Sequence, residues 1–74
     1  MIRLSARVVI DPEIHHGRPV IEGTRVPVEV VVGHMAAGMT VEAVAEEYGI
    51  ARDDVLAALA YAAQAVASEE IRVL

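Results

Sequence analysis

Between residues 2 and 10 the even positions Ile2, Leu4, Ala6, Val8 and Ile10 are apolar, while Arg3, Ser5 and Arg7 face the other way. A period of two marks a strand with one buried face, so this segment reads as a strand carrying arginine on its open side. Asp11-Pro12 ends it, because proline has no N–H for a ladder and restricts the residue before it. A loop through His15-His16-Gly17 follows, after which Val20 and Ile21 resume extended structure. Glu22-Gly23 ahead of Thr24-Arg25-Val26 predicts a tight turn with Gly23 at positive φ.

From here the period changes to that of a helix. Pro27 suits a first helical position, where its missing N–H costs nothing. Val28, Val31, Val32, Met35 and Ala36 give an i, i+3, i+4 stripe that Gly38 stops. Thr40 then predicts an N-cap, Glu42 sits where the helix dipole favours an acid, and Val41, Val44, Ala45 and Tyr48 form the inner stripe up to Gly49. A third helix begins within three residues, with Asp53 and Asp54 in its first turn and Val55, Leu59, Ala62 and Val66 as its inner line to about Ala67. Alanines 57, 58, 60, 63 and 65 lie off that line, and small residues let another helix approach. Ile71-Arg72-Val73-Leu74 alternates again and suits addition to a partner's sheet edge.

Two helices joined by a short glycine-containing turn, with a further helix before them, make a trihelical helix-turn-helix. The expected fold is therefore mainly α: a three-helix, homeodomain-like helix-turn-helix core over residues 27–67, an N-terminal β-strand or hairpin arm and turn over residues 1–26, and a tail over residues 68–74. All 74 residues form a single domain.

Size and composition point to a partner. So short a chain buries a small share of its surface, yet 55% of its residues are hydrophobic and its mean hydropathy is +0.47, high for a small monomer. With no cysteine there is neither a disulfide framework nor a Cys-based zinc site. Two tyrosines and no Phe or Trp argue against stacking on nucleobases. No membrane span or signal peptide is read from the pattern, and the expected location is cytoplasmic.

The formal net charge of −5 is unevenly distributed. Residues 1–39 balance Arg3, Arg7, Arg18 and Arg25 against four acids, whereas residues 40–74 set Arg52 and Arg72 against seven. A DNA-reading third helix would present Ala51-Arg52-Asp53-Asp54 to the groove, where two carboxylates oppose phosphate and only Arg52 can donate to guanine. A ribbon carrying Arg3 and Arg7 on one face, with Arg18 and Arg25 beside the turn, is the better DNA candidate. Arg18 or Arg25 pairing with Glu22 or Asp11 is the alternative use of those cations. His15, His16 and His34 have no recognised metal-ligand spacing, and Ser5, Ser68 and the Glu46-Glu47 pair belong to no catalytic motif. No catalytic residue, metal or cofactor is expected.

The segments Asp11-Pro12-Glu13-Ile14, Gly17-Arg18-Pro19-Val20-Ile21 and Gly23-Thr24-Arg25-Val26-Pro27-Val28 are the most distinctive in the chain. Together with Ala37-Gly38-Met39-Thr40, Glu46-Glu47-Tyr48, Asp53-Asp54-Val55 and the run from Ala57 to Ala62, they resemble a bacterial and archaeal family known as domain of unknown function 433. The resemblance spans about residues 9–66. It implies a compact helix-turn-helix protein with an extended N-terminal arm, an antitoxin that masks a PIN-type nuclease and takes operator DNA as a second ligand. The family places Thr-Pro at the start of the last helix where this chain has Ala51-Arg52, so a side-chain cap worth about 1 kcal/mol is missing.

The functional expectation is a non-enzymatic antitoxin-like module, acting as a homodimer. Ile2, Leu4, Val8 and Ile10 pair across the dimer, while the alanine-rich helix with Tyr61, together with Ile71, Val73 and Leu74, engages the toxin. Glu69 and Glu70 meet its basic groove. A regulator acting through DNA alone and a structural dimer module are the alternatives.

Overall fold

The computed structural model describes residues 1–69. Strands β1 (Ile2–Ser5), β2 (Val8–Ile10) and β3 (Val20–Ile21) form an antiparallel sheet in that order, followed by helices α1 (Val28–Ala36), α2 (Val41–Tyr48) and α3 (Arg52–Ala67). The chain is thus mixed α/β, where the helical periodicity alone suggested a mainly α protein. The sheet is not an arm outside a helical core: Val8 and Ile21 are fully buried in one cluster with Val28, Val31, Val44, Val55 and Ala58.

Residues 2–10, expected as one strand, form a hairpin. Arg7 adopts φ 65° and reverses the chain after Ala6, so that Ile2 pairs with Ile10, Arg3 with Val9 and Ser5 with Val8. The register shift between Arg3 and Ser5 is a bulge, and it breaks the alternation that the even positions suggested. Ile2 is accordingly 63% exposed, and Val9, an odd position, is buried. Val8 and Ile21 face the helices, whereas Val9 and Val20, paired in register, sit on the other face with Ile14 beside them. Burial on both faces explains the unbroken Val8-Val9-Ile10 run.

Gly23, at φ +77°, makes the turn in which Ile21 N–H donates to Val26 O and Thr24 N–H to Ile21 O, each at 3.0 Å. Pro27 occupies the N-cap of α1, one position before the helix. Thr40 Oγ1 caps α2 by accepting from Ala43 N–H at 3.1 Å, and Gly49 ends it at φ +64°. An alanine side chain at either glycine would meet the left-handed penalty of about 1 kcal/mol.

One position of the inner line of α3 differs from expectation. Val55 and Ala58 are fully buried and Leu59 and Ala62 partly so, but Val66 is 63% exposed. The cause is an open neighbourhood: Val66 lies on the wall of a groove between α1 and α3 that no further described element covers. With 16 residues, about 24 Å at 1.5 Å per residue, α3 is also much the longest helix, α1 having nine and α2 eight. Glu70, Ile71, Val73 and Leu74, expected at a partner interface, lie outside the described residues.

Val44 sits at the centre of the core, and Val44→Ala should cost about 2–3 kcal/mol from lost burial and the cavity left behind. Thr40→Ala should cost about 1 kcal/mol through the missing cap. Chemical denaturation of the two variants should return them in that order.

Candidate functional site

Asp54 joins the two ends of the domain. At the third position of α3 its Oδ2 accepts from the Ala51 backbone N–H at 3.0 Å, while its Oδ1 accepts from Arg7 Nη1 at 3.0 Å. Ala51 brings no side-chain cap of its own, so the Asp54 carboxylate supplies the side-chain hydrogen bond at this helix start. Asp53 lies 3.8 Å from the same guanidinium. The carbonyl of Arg7 accepts from Glu22 N–H at 2.8 Å. A non-glycine residue at positive φ is strained, and these contacts at both ends of Arg7 hold it there.

Three other arginines are also engaged within the chain. Arg3 binds Glu22 through two parallel hydrogen bonds at 3.0 and 2.6 Å, linking β1 to the Gly23 turn. That fork holds the Glu22 carboxyl below its usual range and the Arg3 guanidinium above its own. Arg18 pairs with Glu29 at 3.1 Å, and Arg52 Nε donates to Glu42 Oε1 at 3.1 Å. Glu42 is held low first by its own backbone N–H at the start of α2 and then by Arg52. The expected pairings of Arg18 or Arg25 with Glu22 or Asp11 are not the ones formed, since Glu22 belongs to Arg3. Among the described residues, Arg25 has no carboxylate within 4.0 Å.

Arg3 and Arg7 therefore do not share a strand face: one lies in β1, the other in the hairpin turn, and their guanidinium groups point to Glu22 and Asp54. Nor do the histidines converge. His15 Nε2 contacts Arg25 O at 2.8 Å, and His34 at the end of α1 is hydrogen-bonded to the Tyr48 hydroxyl at the end of α2. Among the described residues, no three of His, Asp or Glu come together as a metal site. No helix among them is long and apolar enough to cross a membrane.

The residues expected at partner surfaces separate into two groups. Val8 has no exposed surface and serves the core, so it cannot also pair across a dimer; Leu4 and Ile10 are half-buried and Ile2 stands out. Tyr61 is half-buried on α3, between two apolar depressions. One of these, an open groove of about 410 Å³, runs between α1 and α3 and is lined by Val32, Gly33, Ala62, Ala65 and Val66, with Arg18 and Glu29 at its rim. The alanine-rich helix that the sequence marked as a place for another helix to approach contributes Ala62 and Ala65 to this groove, whereas the α1 side of it, Val32 and Gly33, carried no signal.

Comparison with known proteins agrees with this arrangement. The profile of the family described as "Protein of unknown function (DUF433)" matches residues 8–62, from β2 into α3. The chain belongs to the DUF433 family. A Mycobacterium tuberculosis protein named "Putative antitoxin VapB45" is 44% identical over 63 residues, covering 80% of this chain and 26% of the relative. The crystal structure of Rv2018 from the same organism superposes with a TM-score of 0.67 at 44% identity, over 73% of this chain and 25% of that one. The DUF433 chain thus spans about a quarter of the length of each.

Asp54→Ala should destabilise more than Arg7→Ala, because it removes the helix cap as well as the ion pair; a double-mutant cycle should give a coupling of up to about 1 kcal/mol. Acidification should weaken the Arg3–Glu22 contact in a defined direction. Since the folded Glu22 carboxyl titrates below its unfolded value, its contribution is fully present above the unfolded pKa and is lost as pH falls through the folded one. Titration followed by NMR should show Glu22 returning to the ordinary glutamate range in Arg3→Ala.

Proposed function

We propose that this chain is a non-enzymatic antitoxin-like module that neutralises a PIN-type ribonuclease by covering its surface, in the cytoplasm. The observation that carries this reading is the 44% identity to a protein named as an antitoxin, extending over most of this chain. The physical character of the domain supports it. Four of its arginines are paired with carboxylates of the same chain, whereas its exposed residues include Met1, Ile2, Leu56 and Val66, an apolar surface that a protein partner would cover. A homodimer would form along β1, whose outer edge has no ladder partner among the described residues and carries Ile2.

Operator DNA is the second ligand, favoured by the three-residue connection Gly49-Ile50-Ala51 between α2 and α3, as in a homeodomain-like helix-turn-helix. In that mode Arg25, which has no carboxylate within 4.0 Å among the described residues, is the better placed contact, because moving Arg7 toward phosphate breaks its link to Asp54. Arg3, Arg18 and Arg52 would each exchange a carboxylate for a phosphate. A regulator without a toxin would bind DNA alone.

Co-expression with the product of the neighbouring gene should give a complex that survives purification and restores growth. Failure to co-purify, with toxicity unchanged, would remove the antitoxin reading. DNA binding should weaken steeply with salt, and Arg25→Ala should reduce the log–log slope by about one unit for each phosphate it leaves without a cation. A salt-independent shift would count against phosphate binding.

A further inference from the structure

Over residues 55–67, α3 carries no charged side chain on any face, yet Leu56, Ala60, Ala63, Gln64 and Val66 are exposed. A helix without charge all round is normally buried on every side. Here the side toward α1 opens into the apolar groove, where Val32 and Gly33 face Ala62, Ala65 and Val66. A Cβ built on Gly33 would meet nothing within 4 Å, so the floor is open at that point. Small side chains at i and i+3 form the shallow channel into which the ridge of another helix packs.

Charge decides what that helix belongs to. Glu69 lies just beyond the neutral stretch, its last turn has no basic residue to offset the negative pole of the helix, and Arg18 and Glu29 at the groove's rim are paired with each other. A second copy would bring the same acids. Parallel helices would set Glu69 and the negative pole of one α3 against those of the other, and antiparallel helices would set Glu69 against the uncharged stretch, so neither arrangement supplies a cation. A partner with cations flanking an apolar face meets complementary charge instead.

We propose that the groove between α1 and α3 receives an amphipathic helix from a basic protein. Its apolar face packs on Val32, Ala62, Ala65 and Val66, and its lysine or arginine flanks meet Glu69 and the carbonyl end of α3. The partner's identity as a nuclease toxin rests on the antitoxin reading; the groove and its charge preference do not.

The test uses the full chain, labelled for NMR, and two synthetic helical peptides with one leucine-alanine face, flanked in one case by lysines and in the other by glutamates. The lysine peptide should shift the signals of Gly33, Ala62, Ala65 and Val66, and the glutamate peptide should bind at least about tenfold more weakly. Val66→Lys, at an exposed site, should keep the fold by circular dichroism and weaken the lysine peptide by a similar factor. Equal binding of both peptides, no binding of either, or shifts centred elsewhere would overturn the proposal. A dimer by sedimentation that Val66→Lys dissociates would assign the groove to a second copy, and groove signals that move on deleting residues 70–74 would assign it to the chain's own end. If the nuclease fails to co-purify while the lysine peptide fills the groove, the antitoxin reading falls and the groove stands. If the nuclease co-purifies equally with Val66→Lys, the groove falls and the antitoxin reading stands.

Discussion

The architecture turns on one carboxylate. Asp54 has two oxygens and two separate obligations, the backbone N–H that opens α3 and the guanidinium that closes the β1–β2 hairpin. A helix start without a capping side chain needs an acceptor near its third position, and a hairpin that turns through a left-handed arginine needs that arginine held. One residue meets both needs, and in doing so it joins the hairpin to the start of α3. The core then fills with Val, Ile and Ala, whose small volumes let three short helices close over a three-stranded sheet without an aromatic ring at the centre.

The same joint shapes what the domain can bind. The net acidity of the chain conceals an N-terminal half in which the cations are mostly matched one to one: Arg3 to Glu22, Arg18 to Glu29, and Arg7 to the acids of α3. Matched charges steer weakly. Beside Arg25, what remains open is largely apolar, the groove along the end of α3 and the exposed residues of β1, with Glu69 beyond the helix. Such a surface favours protein over nucleic acid, because phosphate binding requires free protein cations that displace the counterions condensed on the nucleic acid.

Helix limits were legible from the sequence because their signals are local. Thr40, Gly49, Gly38 and the Gly23 turn each act within a few residues, and each appears where its side chain or its lack of one predicts. The hairpin was hidden for the opposite reason. Ala6-Arg7 contains no residue that favours a turn, and its geometry is held by Glu22 and Asp54, far along the chain. Periodicity likewise placed Val66 inward, since a repeat carries no information about where the cover of neighbouring elements ends. Of the candidate site, the identities of the arginines were readable and their partners were not, because a pairing across 47 residues leaves no local trace.

The Arg7–Asp54 contact also has a consequence for the domain as a unit. It ties a turn at the beginning of the chain to the last helix, enclosing β2, β3, α1 and α2 between its two halves. Neither part left by a cut within that span would keep both the hairpin turn and the α3 start satisfied. The hairpin turn and the α3 start are therefore satisfied together only in an unbroken stretch from Arg7 to Asp54, which makes the span between them a single unit although its two ends are 47 residues apart.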